Sequence, residues 1–198
     1  MDRLEFVKAK RVVVKLGTNV LRNDEGYVSL PRIYSFIEDM AALVRAGKEV
    51  ILITSGAVGL GKKRLNLQDT QGTALKQACA AIGQGKLMSL YETGFEAYGL
   101  IAAQILLIED DFSVRERYLS LRTTLNKLLE LGAIPVINQN DTVSTRNVSL
   151  RDGVEDMQVC FSDNDKLSAL VASELDADLL IILSDIDGLY SDNPKTNK

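Results

Sequence analysis

Lys15 follows three valines and precedes Leu16-Gly17-Thr18. An ammonium held on so stiff a β-branched run would be a fixed cation for a phosphate. An edge lysine reaching solvent along its stem reads equally well from these residues alone. A second apolar run ends in Thr54-Ser55-Gly56-Ala57. Small residues where a strand turns into a helix leave backbone N–H groups open to an anion, and a tight turn needs the same residues. Asn138-Gln139-Asn140-Asp141 follows a third apolar run. Its polar side chains could read the ammonium and carboxylate of an amino acid, or hold Mg²⁺ through water; Asn and Asp are also common turn formers. Asp163-Asn164-Asp165 precedes a helical pattern, and a helix cap with favourable dipole charges accounts for one or two of the three. Ser184-Asp185 closes the last apolar run. Open α/β sheets gather ligands at the carboxyl ends of their strands, which is where most of these groups fall.

The chain has 198 residues and no histidine. Ser-His-Asp and Cys-His catalysis, His-ligated zinc and imidazole proton shuttling are therefore excluded. Chemistry must run on Lys, Asp, Asn, Ser, Thr, backbone N–H groups and a hard metal ion. Lys and Arg total 23 against 27 Asp and Glu, a net charge of −4, which argues against a global basic field for nucleic acid. The longest uncharged runs, Val50–Gly61 and Ala97–Ile108, fall far short of the ~18–20 residues that span a bilayer. Met1-Asp2-Arg3-Leu4-Glu5 carries charge where a signal peptide needs an apolar stretch. Cys79 and Cys160 have no C-x-x-C spacing and apolar neighbours, as buried free thiols in a reducing cytosol do, so a cytoplasmic location is expected.

The elements that must position these groups are read from periodicity. Arg11–Leu16, Val50–Thr54, Leu100–Ile108, Ala133–Ile137 and Leu179–Leu183 read as strands, the last expected to be buried on both faces. Ser29 can cap a helix whose apolar positions Ile33, Phe36, Ile37, Met40, Leu43 and Val44 recur at helical spacing until Gly47. Thr73–Ala97 reads as mostly helical, with Gly83, Gly85 and Gly94 interrupting it; Arg115–Leu131 and Asp165–Leu175 are further helices. Uninterrupted apolar strands separated by amphipathic helices predict a three-layer αβα sandwich with a mainly parallel central sheet. No linker rich in Pro, Gly or Ser divides the chain. The polar segment Thr142–Ser162, with a turn at Arg151-Asp152-Gly153, is expected to form a β-hairpin.

Gly56-Ala57-Val58-Gly59-Leu60-Gly61-Lys62-Lys63 has the G-x-x-x-x-G-K spacing of a nucleotide-binding P-loop, and Leu179–Leu183 with Ser184-Asp185 could pose as its Walker-B strand. Position eight is Lys63, where Mg²⁺ coordination needs Ser or Thr, so this reading ranks below the one that follows.

Taken in order, VVVKLGTNVL (Val12–Leu21), ITSGAVGLG (Ile53–Gly61), PVINQND (Pro135–Asp141), DNDKLSALVA (Asp163–Ala172) and LSDIDGLY (Leu183–Tyr190) resemble the amino-acid kinase superfamily. The combination of TSGA, INxND and DNDxLSA is similar to its glutamate 5-kinase family, and the resemblance spans nearly the whole chain. It implies transfer of the γ-phosphoryl group of ATP to the side-chain carboxylate of L-glutamate, with Mg²⁺, as the first step of proline biosynthesis. By resemblance, Lys15 touches the transferring phosphoryl group and Asp165 orients the catalytic lysines. Ser55, with Gly56 and Ala57 beside it, Asp141 and Asn164 match substrate-binding positions, and Asn138 falls nearby. Lys15, Gly17, Ser184 and Asp185 match the ATP side. Feedback inhibition by proline and a homo-oligomer are implied in the same way.

Two departures from the family stand out. Thr142–Asp163 is longer by roughly a hairpin's worth, as a lid, an oligomer contact or a plain surface insertion. After Asp187-Gly188-Leu189-Tyr190 the family continues with a glycine-rich segment and a second catalytic lysine, and many members add a PUA domain. These 198 residues are therefore expected to be a kinase domain lacking the last part of its ATP site. A glutamate-binding module without catalysis is the alternative in another functional class.

Overall fold

The computed structural model describes residues 3–23, 25, 27–108, 110–143, 163–186 and 188. Five strands form one sheet, all neighbours parallel: β1 (Arg11–Leu16), β2 (Glu49–Ile53), β3 (Ile101–Leu107), β4 (Ala133–Gln139) and β5 (Leu179–Leu183), in the order β3-β4-β2-β1-β5. Side chains alternate across a strand, and here both sets are apolar because both faces are covered. Val12, Val14, Leu16, Val50 and Leu52 pack against Ile33, Ile37 and Met40 of α1 (Leu30–Arg45) and Leu87, Tyr91 and Phe95 of α3 (Thr73–Glu96). Val13, Ile51, Ile53 and Ile137 pack on the opposite face against Leu125 and Leu129 of α5 (Arg115–Glu130), which follows the short α4 (Asp110–Ser113), and against Leu167, Val171 and Leu175 in and just after α6 (Asp163–Glu174). The expected αβα sandwich is what forms.

The same alternation decides where Lys15 goes. It is two residues from Val13, so it shares the face covered by α6, and its strand is flanked by β2 and β5. Lys15 is only 4% exposed, which removes the reading of an edge lysine in solvent. The edge of the sheet is β5 instead. The apolar run Leu179–Leu183 predicts burial on both faces, but among the described residues it has a strand neighbour on one side only, and Ile182 is 47% exposed. Asp178 holds this edge in register, its carboxylate accepting the backbone N–H groups of Lys10 (2.7 Å) and Arg11 (2.9 Å), bonds that lower its pKa.

Two boundaries differ from the sequence reading. Ser29 stands at the N-cap of α1 but its hydroxyl makes no capping bond; its N–H is bound to Leu21 O (2.7 Å), and Pro31 in the first turn favours the start. β4 runs on through Asn138 and Gln139 because β3 extends the ladder to those residues, so Asn138 is a strand residue rather than part of the following turn. The hairpin expected over 142–163 lies outside the described residues from 144 to 162, as does Cys160; Cys79 is a buried free thiol.

The glycines of α3 do not interrupt it. A Cβ at Gly83 would come 1.8 Å from the carbonyl oxygen of Ala57, and one at Gly61 would come 1.9 Å from that of Cys79. These glycines let α3 and α2 (Ala57–Arg64) touch backbone to backbone, which fixes α2 at the end of β2. Gly85, two residues on, faces open space. Gly83→Ala should therefore destabilise the fold by at least ~1–3 kcal/mol through overpacking. Gly85→Ala should stabilise it by roughly 0.5–1 kcal/mol through helix propensity. Urea denaturation of the two variants measures the opposite signs.

Candidate active site

The carboxyl ends of β1, β2, β4 and β5 open into a cavity of about 740 Å³. The site residues matched through the family resemblance all line it: Lys15 and Gly17, then Ser55, Gly56 and Ala57, then Asn138 and Asp141, then Asn164 and Asp165, then Ser184 and Asp185. They come from five separate stretches of chain, brought together because parallel strands all end at the same edge.

Lys15 projects from the end of β1 toward the first turn of α6, where its ammonium pairs with Asp165 Oδ1. Side-chain exposures of 6% and 24% put this pair mostly out of water. The start of α6 is an electropositive helix end, so the carboxylate there is favoured by the dipole as well as by the lysine. Gly17 keeps the approach to the ammonium open: a Cβ would sit 3.1 Å from Leu183 O and 3.5 Å from Lys15 Nζ. Gly17 N–H also donates to Leu183 O (3.1 Å), tying the end of β1 to β5.

Ser55 is buried, and its hydroxyl donates to Leu16 O (3.0 Å) while accepting from Thr18 Oγ1 (2.9 Å). Its proton is thus committed to joining two strand ends, and toward a ligand the hydroxyl can only accept. Gly56 has φ +106°, the left-handed region that favours glycine, and starts α2. Because α2 begins at Ala57, Lys62 lies in its last turn. A P-loop needs Gly56–Lys62 as an open loop with the lysine at the helix start. The P-loop reading fails on that geometry, although Lys62 does line the cavity.

Asn138 is 2% exposed, and both ends of its amide are bonded. Its Oδ1 accepts from Gln139 N–H (2.9 Å) and from Asn164 Nδ2 (3.3 Å), and its Nδ2 donates to Gln84 Oε1 (2.9 Å). Asn164 Nδ2 also donates to Thr54 O (2.9 Å), leaving Asn164 Oδ1 buried with no hydrogen-bond partner among the described residues. Thr54 Oγ1 in turn shares a hydrogen bond with Tyr91 OH (2.7 Å), whose pKa burial drives well above its ordinary value. Asp141 N–H turns back to Gln139 O (3.0 Å), and Asp185 accepts from Asn19 Nδ2 (3.1 Å) beyond β5.

Thr18, Asn19 and Arg22 also line the cavity, though the sequence does not mark them as site residues, and Gln84 and Tyr91 support it from α3. Gln84 lies between Gly83, which touches α2, and Gly85, which faces open space, so the spacing gives no sign of its role. Tyr91 pairs with a threonine 37 residues away and leaves no local signal. Among the described residues no three His, Cys, Asp or Glu side chains come together to hold a metal, and no helix is long and apolar enough to cross a membrane.

The sequence pattern of the amino acid kinase family matches residues 10–198. The chain belongs to that family. This kinase-family chain is 48% identical to the glutamate 5-kinase of Caldanaerobacter subterraneus subsp. tengcongensis over 189 residues, covering 95% of the chain and 48% of the relative. It is 45% identical to that of Moorella thermoacetica over 98% of the chain and 49% of the relative. With glutamate 5-kinase 2 of Bacillus subtilis the identity is 46% over 95% and 48%. The chain spans about half the length of the curated relatives it matches.

A buried ion pair is costly to break from one side, because the partner is left charged and poorly solvated. Lys15→Met and Asp165→Asn should each destabilise the fold, while the double variant recovers much of the loss. A double-mutant cycle by denaturant melts should return a coupling of about 1–3 kcal/mol, held down by the partial exposure of Asp165.

Proposed function

We propose that this chain carries the amino-acid side and the phosphoryl-facing lysine of a glutamate 5-kinase. The reaction is transfer of the γ-phosphoryl group of ATP to the side-chain carboxylate of L-glutamate, the first step of proline biosynthesis, in the cytosol. The observation that carries this reading is a buried ammonium, Lys15, sharing one cavity with a buried acceptor, Asn164 Oδ1, that has no partner among the described residues. A cation suits the phosphoryl group. An acceptor lacking a donor suits the ammonium of an amino acid, and Asp141 on the same cavity wall adds negative charge of the right sign.

Phosphoryl transfer asks a protein mainly to position two anions in line and to neutralise the spreading charge. The side-chain carboxylate of glutamate, which ordinarily titrates near ~4.3, arrives ionised at neutral pH, so no general base is required. The absence of histidine from the sequence costs this chemistry nothing. What is required is a fixed cation. Unit charges ~4 Å apart at an effective dielectric of ~20 interact by about 4 kcal/mol, or roughly three powers of ten in rate. Asp165 acts on the reaction through Lys15, as a positioning residue. The N–H groups opening α2 at Ala57 and Val58 offer donors to a carboxylate. Gly17, Ser184 and Asp185 would border the nucleotide, and a bound Mg²⁺ would supply further charge neutralisation, held chiefly by phosphate oxygens and water. Inhibition by proline and a homo-oligomeric state belong to the same proposal.

An ADP-release assay of the intact protein over glutamate, aspartate, acetylglutamate and UMP tests it. Glutamate-dependent turnover is expected, and turnover with another of the four but not glutamate would overturn the reading. Lys15→Met should lower kcat by about 10³-fold with the circular dichroism spectrum retained.

A further inference from the structure

We infer that Gln84, which lies outside the cavity wall, is a positioning residue that fixes the paired amides of Asn138 and Asn164 and so sets affinity for the amino-acid substrate from α3. The inference rests on the reading that Asn164 faces that substrate.

Both amides have a defined polarity because each meets a backbone group of one kind. Gln139 N–H can only donate, so the Asn138 atom 2.9 Å from it is the oxygen. Asn138 Nδ2 must then point the other way, to Gln84 Oε1 at 2.9 Å. Thr54 O can only accept, so the Asn164 atom 2.9 Å from it is the nitrogen, which also reaches Asn138 Oδ1 at 3.3 Å. The chain of bonds ends at Asn164 Oδ1, the buried acceptor without a partner among the described residues. Of the three side-chain amides in this run of bonds, Gln84 alone can be changed without touching a cavity-lining side chain. Without its acceptor, the Asn138 amide, in a residue 2% exposed, keeps a buried donor unsatisfied and is held from its oxygen side only. The loosened amide then steadies Asn164 less through its Oδ1.

Gln84→Met keeps the size and deletes the acceptor; Gln84→Glu restores an acceptor at a half-buried site. In the intact protein, Gln84→Met should raise KM for glutamate by roughly ten-fold, with KM for ATP and kcat within about two-fold, and Gln84→Glu should recover most of it. Hydrogen exchange of the Asn138 side-chain NH₂, followed by NMR without any ligand, should be slow in the wild type and Gln84→Glu and fast in Gln84→Met. Unchanged exchange in Gln84→Met overturns the inference. So does lost protection with KM for glutamate unchanged, or an equal rise in both KM values. A wild type with slow exchange but no glutamate turnover would overturn the functional reading while leaving the amide chain itself measured.

Discussion

One charge taken out of water organises the substrate end of this fold. Lys15 lies at the end of an interior strand with its ammonium almost wholly buried, and such a group is tolerated only with a partner of opposite charge close by. Asp165 is that partner, and it can serve only if α6 starts directly over the carboxyl end of β1. The apolar residues of α6 that pack on Val13 and its neighbours keep it there. Packing on one face of the sheet and charge compensation at its edge are thus the same requirement met by one helix.

The opposite face answers a different constraint. α2 must hold its N-terminus at the end of β2, and it does so by lying on α3 at backbone contact, through Gly61 and Gly83. The approach is too close for any side chain at those positions. From the same helix α3, Gln84 and Tyr91 send polar groups past the strand ends to Asn138 and Thr54. The cavity is therefore steadied from both layers: from α6 by an ion pair, and from α3 by neutral hydrogen bonds.

Much of this is legible in the residues. The strands are readable because β-branched runs without alternation signal a parallel sheet, and the observed spans differ from the reading by a residue or two at most of their ends. The proposed site residues line the cavity because strand ends in a parallel sheet share one edge, over which α6 starts with Asn164 and Asp165. The misreadings have separate causes. LLIIL reads as a two-sided core strand, but apolar content does not distinguish the edge from the middle of a sheet. Asn138 reads as a turn residue by type, yet the partner strand β3 extends the ladder over it. Ser29 has the right type and place for a cap, but its hydroxyl is not used. G-x-x-x-x-G-K matches in letters, and only the helix start at Ala57 shows that no loop exists there.

By itself, the sequence determined the fold class, the residues capable of chemistry and the fact that none of these 198 residues is a histidine, since each follows from side-chain type and local spacing. The tertiary structure alone decided which of those residues meet. Lys15 and Asp165 are 150 positions apart, and nothing local to either says that they pair. Their pairing comes from strand alternation and helix docking acting together. The same holds for Gly61 and Gly83, whose meaning is a distance between two backbones, and for Gln84, whose role exists only through the partner that the fold sets opposite it.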